Sequence, residues 1–236
     1  MSALLGASIV NRKSQIVNRS GFTLIELLTV IAIMALLAAL IMPVIHGLAK
    51  TKYRSVATAE LGQIENALED YKAKYGVYPP SNANPGGILL PQLYYELKGV
   101  TNNGKLYITL DGGGQINVTP DVQNAFGVGG FVNCWKGSGD DATPAKNFLL
   151  SWKANRFATV LANGIQISNL VTSVGGPDAT YAPLGPAYPN INPFRYIYPG
   201  SNNPSSYDLY VEIRISGQTN LICNWHSGFL LNTALP

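Results

Sequence analysis

From Phe22 the chain reads FTLIELLTVIAIMALLAALIMPVI, an apolar stretch that carries a single charge, Glu26. Leu27 to Ile45 has no charged residue. At about 1.5 Å per helical residue that run reaches roughly 28 Å, against a hydrocarbon core of about 30 Å. The pattern predicts a transmembrane-length helix over 22–45, preceded by a polar, basic leader at 1–21. A conventional secretory signal competes, because Gly47-Leu48-Ala49 offers a small-x-small cleavage site. Against it, the apolar run is too long and begins too late.

After Ile45 the pattern becomes amphipathic. Tyr53, Val56, Ala57, Leu61, Ile64, Ala67, Leu68, Tyr71 and Tyr75 recur at intervals of three and four, with Lys52, Glu60, Glu65, Glu69, Asp70 and Lys74 between them. The spacing predicts that the helix continues to about Tyr75, as an amphipathic segment at 46–78. Gly76 suits its end, and Pro79-Pro80 prevents continuation.

A globular region at 79–236 follows. Leu89 to Leu97 predicts a short helical turn or helix, and 105–110 a strand, with a turn at Asp111-Gly112-Gly113-Gly114 and a short strand at 115–118. Residues 111–190, rich in Gly, Asn, Pro and Ala, form a variable insert without a clear pattern. Phe148 to Val160 fits either a strand pair or a short helix. The C-terminal part alternates again over 194–198, 207–215 and 219–223, an antiparallel meander with Leu209, Val211, Ile213 and Ile215 on one face. The apolar stripe of the long helix supplies the cover that face needs. The expected fold class is α+β: a long N-terminal helix packed on a C-terminal antiparallel sheet of about three strands or more.

Charge changes the picture in one way. Of 236 residues only 12% are charged, with a formal net charge of +3. Residues 1–21 contain Arg12, Lys13 and Arg19 and no acid, so a chain starting at Phe22 has 13 basic and 13 acidic residues. The basicity belongs to the leader, which leaves no electrostatic footprint for a nucleic-acid partner. No Ser/His/Asp, Cys/His or paired-carboxylate constellation supports catalysis. His46 and His226 stand alone, without zinc spacing. Gly127-Val128-Gly129-Gly130 is half of a phosphate loop, but no GK[ST] follows, and a surface turn is the better reading. Cys134 and Cys223 would pair in an oxidising compartment and stay reduced in the cytoplasm. Trp135, Trp152, Tyr181 and Tyr188 offer aromatic surface for carbohydrate, with buried packing as the commoner fate.

Glu26 decides what the N-terminus is for. A carboxylate in an apolar helix costs about 2.5–3.5 kcal/mol, less near the interface, and persists only with a partner or a purpose. A cut between Gly21 and Phe22 would create an amino group four residues before it, on the same helix face. That pair could neutralise within one chain or across neighbouring helices.

Basic residues, then Gly21, Phe22, Thr23-Leu24-Ile25, Glu26 and a long apolar helix resemble the prepilin signal of type IV pilins and type II secretion pseudopilins. Tyr71-Lys72-Ala73-Lys74-Tyr75-Gly76-Val77-Tyr78-Pro79-Pro80 and the C-terminal phrases Asn192-Pro193-Phe194, Tyr207-Asp208-Leu209-Tyr210 and Asn224-Trp225 resemble the major pseudopilin. The resemblance covers about 12–110 and 187–226. It implies cleavage after Gly21 and methylation of Phe22 by a prepilin peptidase, an assembly role for Glu26, and a helix kink at Pro43. It implies a non-enzymatic subunit in the bacterial inner membrane, with a cytoplasmic leader and a periplasmic C-terminal domain. Such a subunit polymerises with itself and other pseudopilins on an inner-membrane assembly platform, in contact with lipid. Flanking charges alone leave the orientation balanced. A pilus subunit, major or minor, and a membrane-anchored periplasmic binding module are the alternatives. The leader is longer than is common in the family. The family also often binds calcium after the Asp-Leu-Tyr phrase; Asp208 is present here, but the downstream carboxylates a hard cation wants are not.

Overall fold

The computed structural model describes residues 21–82, 90–137, 142–175 and 180–233, apart from the side chains of residues 41–49. The leader segment 1–20 and the side chains of Pro43 and His46 lie outside the described residues; the helix assignment runs unbroken through position 43, where a kink was expected. The chain divides into two compact units, Met1–Gly47 and Leu48–Pro236. Helix α1 is Leu24–Tyr75.

In the first unit every described side chain, from Gly21 to Leu40, is exposed, Leu24 at 81% and Leu40 at 63% among them. Among the described residues no helix is long and apolar enough to cross a membrane. The membrane-length helix expected at 22–45 is therefore not met within the described side chains. They stop at Leu40, whereas the apolar run continues to Ile45 in the sequence.

In the second unit, α1 buries Ala57, Leu61, Ile64, Ala67, Leu68 and Tyr71, the stripe its three- and four-residue spacing calls for. Each large apolar side chain so buried contributes about 1.5–3 kcal/mol. Gly76, at φ +78°, ends the helix in the left-handed region, and its N–H donates to Lys72 O at 2.7 Å.

Helix α2 (Leu93–Lys98) leads into a three-stranded antiparallel sheet of β1 (Val100–Asn102), β2 (Leu106–Thr109) and β3 (Gln115–Asn117). After α3 (Asp121–Phe126), strands β4 (Phe157–Ala162) and β5 (Ile165–Leu170) pair as a hairpin. The undecided region 148–160 is thus a 3-10 turn at Ala154–Arg156 running into β4. Asn163 (φ +52°) and Gly164 (φ +80°) make the hairpin turn, a sequence signal that the irregular composition of the insert had hidden. The C-terminal sheet has the order β6-β7-β8-β9: Arg195–Ile197, Asp208–Ile215, Gln218–Cys223 and Leu230–Leu231.

One buried cluster joins the α1 stripe to Tyr94, Tyr95 and Leu97 of α2 and to Leu209, Val211, Ile213, Ile215 and Ile222 of the C-terminal sheet. The meander and its inward face are as expected, and the fold is α+β. The opposite face departs from the expectation of a single apolar side. Tyr210, Leu221 and Cys223 are also buried there, with Ile197, Trp225 and Leu230 against them.

Two carboxylates sit inside this core. Glu60, expected among the polar positions, lies three residues after Ala57 and four before Ile64, so it falls on the buried stripe. It accepts from Thr172 Oγ1 (2.6 Å), Ser173 N (3.0 Å) and Ser173 Oγ, and pairs with Arg156 Nε at 3.1 Å. Glu96, fully buried on α2, accepts from Tyr71 Oη, Val132 N and Asn133 N, each at 2.9 Å. These bonds tie the insert to both helices.

Burial, resisted by the Asn133 and Val132 amides and by Tyr71, raises the Glu96 carboxyl above its ordinary 4.5. A raised carboxyl holds its proton more tightly in the folded chain, so its contribution to stability falls as pH rises from 4.5 through the folded pKa. In thermal unfolding, wild type should therefore gain on Glu96→Gln as pH is lowered from 7 towards 5. An unchanged difference would contradict this. Tyr71→Phe should cost about 1.5–3 kcal/mol, measured by denaturant unfolding, because it takes a donor from a buried charge.

Candidate functional site

The start of α1 brings together the residues singled out at the N-terminus. Gly21 and Phe22 precede the helix, outside any regular element, and are exposed. Thr23 N donates to Glu26 Oε2 at 2.8 Å, and Thr23 Oγ1 donates to the same oxygen at 2.7 Å. Glu26 N donates back to Thr23 Oγ1 at 3.3 Å. This is a capping box: the hydroxyl of the residue before the helix accepts from the third helical N–H, and the carboxylate three residues on accepts from the residue that began it. Glu26 also lies in the first turn, where the helix dipole favours a negative charge.

Charge alone points to a new amine at Phe22 as the partner of Glu26, whereas within one chain Thr23 supplies the donors. The signal was present as Thr-x-x-Glu directly before an apolar run. Within one chain the carboxylate thus has two donors from its own neighbour. Around it, Phe22 (83% exposed), Leu24, Ile25 and Leu27 leave an apolar surface exposed.

The other residues named from sequence are distributed elsewhere. Cys134 is half-buried at the edge of the main core and Cys223 is buried in the cluster on the opposite sheet face. Both are free thiols, so the pairing left open between them is not formed. Burial pushes both thiols up, which makes them poor nucleophiles. Among the four insert aromatics, three are engaged. Trp152 is buried and donates Nε1 to Arg156 O at 2.8 Å, and Tyr181 Oη donates to Glu212 Oε2 at 3.0 Å. Tyr188 Oη accepts from Leu161 N at 2.7 Å. Trp135 is the exception at 46% exposure. Gly127 caps α3 in the left-handed region, so the glycine cluster begins as a helix terminus.

Asp208 is fully buried at the start of β7. Oδ2 accepts from Asn202 N (2.8 Å) and Asn202 Nδ2 (3.0 Å), and Oδ1 accepts from Asn203 N (3.0 Å). A hard cation needs converging oxygens, whereas the groups converging here are N–H donors. Among the described residues no group of three or more His, Cys, Asp or Glu could hold a metal ion. The donor set does not fit calcium.

Residues 16–42 match the family model for the prokaryotic N-terminal methylation motif. Type II secretion system core protein G of Aeromonas hydrophila is 38% identical over 61 residues, covering 26% of this chain and 43% of that protein. Its counterpart in Escherichia coli (strain K12) is 37% identical over 62 residues, 26% of this chain and 43% of the other. The fimbrial protein EcpC of Eikenella corrodens is 38% identical over 68 residues, 29% and 44% respectively. The chain thus spans less than half the length of these relatives. No solved structure matches it. The chain thus carries a prepilin-type methylation motif and, over about a quarter of its length, is similar to type II secretion pseudopilins and to a fimbrial protein. Pseudopilins and pilins are in general structural subunits rather than enzymes.

Thr23→Ala should remove the hydroxyl that caps α1 at a cost of about 1 kcal/mol. Amide hydrogen exchange at Glu26, measured in detergent micelles, should speed up roughly fivefold, while Thr23→Ser should stay close to wild type. Equal rates in all three chains would show that the capping box does not hold the helix start.

Proposed function

We propose that the chain is a structural subunit of a type II secretion pseudopilus. A prepilin peptidase cuts after Gly21 and methylates Phe22. The helix at 22–45 holds the subunit in the inner membrane, with its C-terminal domain in the periplasm. Subunits then leave the membrane for a helical filament whose core is made of these helices and whose surface is made of the globular domains. The platform that moves them supplies the work, and the subunit itself carries out no reaction.

The observation that carries this reading is Glu26, set four residues after Phe22 at the head of a helix whose described side chains up to Leu40 are all exposed. Exposed apolar surface of that kind is stable only against lipid or against like helices. A carboxylate at its head, placed where cleavage would leave an amine, gives neighbouring helices a point of register. The capping box lets one chain satisfy Glu26 while it waits in the membrane, so the neighbour's ammonium replaces hydrogen bonds rather than filling a void.

A pilus subunit is the second reading, favoured by the 38% identity to a fimbrial protein. The two separate in a host that has both machineries. Restored export of secreted enzymes without long surface fibres marks the pseudopilus, and surface fibres without restored export mark the pilus.

Glu26→Ala tests the shared core of both readings. Cleavage should continue, because the peptide bond after Gly21 is unchanged, while incorporation into filaments in a co-expression and shearing assay should fall at least tenfold. Normal incorporation of the Ala variant would remove the assigned role of Glu26.

A further inference from the structure

The connection between β6 and β7 runs from Tyr198 to Tyr207 and returns the chain so that Ile197 pairs with Asp208. It contains Ser201, Asn202, Asn203, Ser205 and Ser206, and so has few apolar anchors of its own. A loop of this composition needs another reason to hold one shape. In the related secretion subunits calcium is the expected reason. Here the chain uses its own donors.

The geometry points to a cation-free clasp: the Asp208 carboxylate, closed by Asn202 and Asn203, does in this chain what a bound calcium ion would do, and the loop takes no divalent cation. Three features carry this. First, the carboxylate is fully buried and every bond given to it comes from nitrogen: the Asn202 and Asn203 main-chain amides and the Asn202 side-chain amide, at 2.8–3.0 Å. A calcium ion prefers six to eight oxygens at about 2.3–2.6 Å. It would have to displace N–H groups that carry positive partial charge and that already satisfy the buried carboxylate.

Second, the oxygens that a neighbouring ligand set would draw on are already engaged. Tyr207 O accepts from both Asn203 Nδ2 (3.1 Å) and Asn224 Nδ2 (2.9 Å), and Asn224 Oδ1 accepts from Leu209 N at 2.9 Å. The clasp therefore continues across the sheet to the end of β8. Third, the loop is packed directly onto the carboxylate. A Cβ placed on Gly200 would stand 2.5 Å from Asp208 Oδ1, so the space beside that oxygen is filled by main chain. Gly200 N and Ser206 N close the loop on itself by donating to Ser206 O and Asn203 O, each at 2.9 Å.

The inference concerns the folded subunit alone and does not depend on which filament it joins. It is tested by thermal unfolding of the full-length processed chain in detergent micelles, with millimolar calcium chloride or with EDTA. Wild type should melt at the same temperature in both. Asp208→Asn places an amide N–H against the Asn203 amide and should lower Tm by roughly 5 °C, equally in both conditions. Asn202→Ala keeps the main-chain donor, and should fall less and remain insensitive to calcium, which covers the case in which the Asp208 variant fails to fold. A wild-type Tm that rises by several degrees with calcium and drops with EDTA, the response being lost in Asn202→Ala or Asp208→Asn, would overturn the clasp in favour of a cation site.

Discussion

A carboxylate removed from water must be given donors, and this charge-poor chain meets that demand almost entirely with hydroxyls and amides. Glu26, although exposed at the head of α1, is held in the same way by the Thr23 N–H and hydroxyl. Glu60 takes Thr172 and Ser173, with Arg156 as an ionic partner. Glu96 takes Tyr71 and two main-chain amides, and Asp208 takes three N–H groups of Asn202 and Asn203. Glu60, Glu96 and Asp208 join segments that local propensity alone would leave apart. Glu60 and Glu96 bind the irregular insert to the helices, Asp208 sets the approach to the central strand of the C-terminal sheet, and Glu26 fixes the first turn of α1.

The reliance on such bonds follows from what α1 has to do. Its N-terminal part is apolar on all sides, so its surface is set by the surroundings and not by this chain. From Ala57 to Tyr71 only one stripe is apolar, and the rest of the second unit is built against it. Apolar burial supplies most of the stability there, but it is non-directional. The glycine- and asparagine-rich insert needs directional bonds to hold one arrangement, and the buried carboxylates provide them.

The features that were legible in the sequence are those with a local period. The α1 stripe, the Gly76 terminus and the alternation of Leu209, Val211, Ile213 and Ile215 could each be read from their own neighbours. Glu60 was misplaced because a single charge within a stripe looks like a polar position until its partners, more than a hundred residues away, are known. Thr23 and the Asn163-Gly164 turn were readable but passed over, the first in favour of a charge-based partner and the second within a composition that suggested only loop. The double burial of the β7–β8 sheet and the free state of Cys134 and Cys223 depend on how distant segments meet, and no local pattern encodes that.

On the proposed reading the chain is a processed filament subunit organised around the junction before Glu26. That reading rests most directly on the covalent state of the N-terminus in cells that carry a prepilin peptidase. Tandem mass spectrometry of the membrane-isolated protein should find its first peptide beginning at N-methylated Phe22. A chain that keeps residues ahead of Phe22, or one that begins at Lys50 as a secretory signal cut would leave it, would contradict the account.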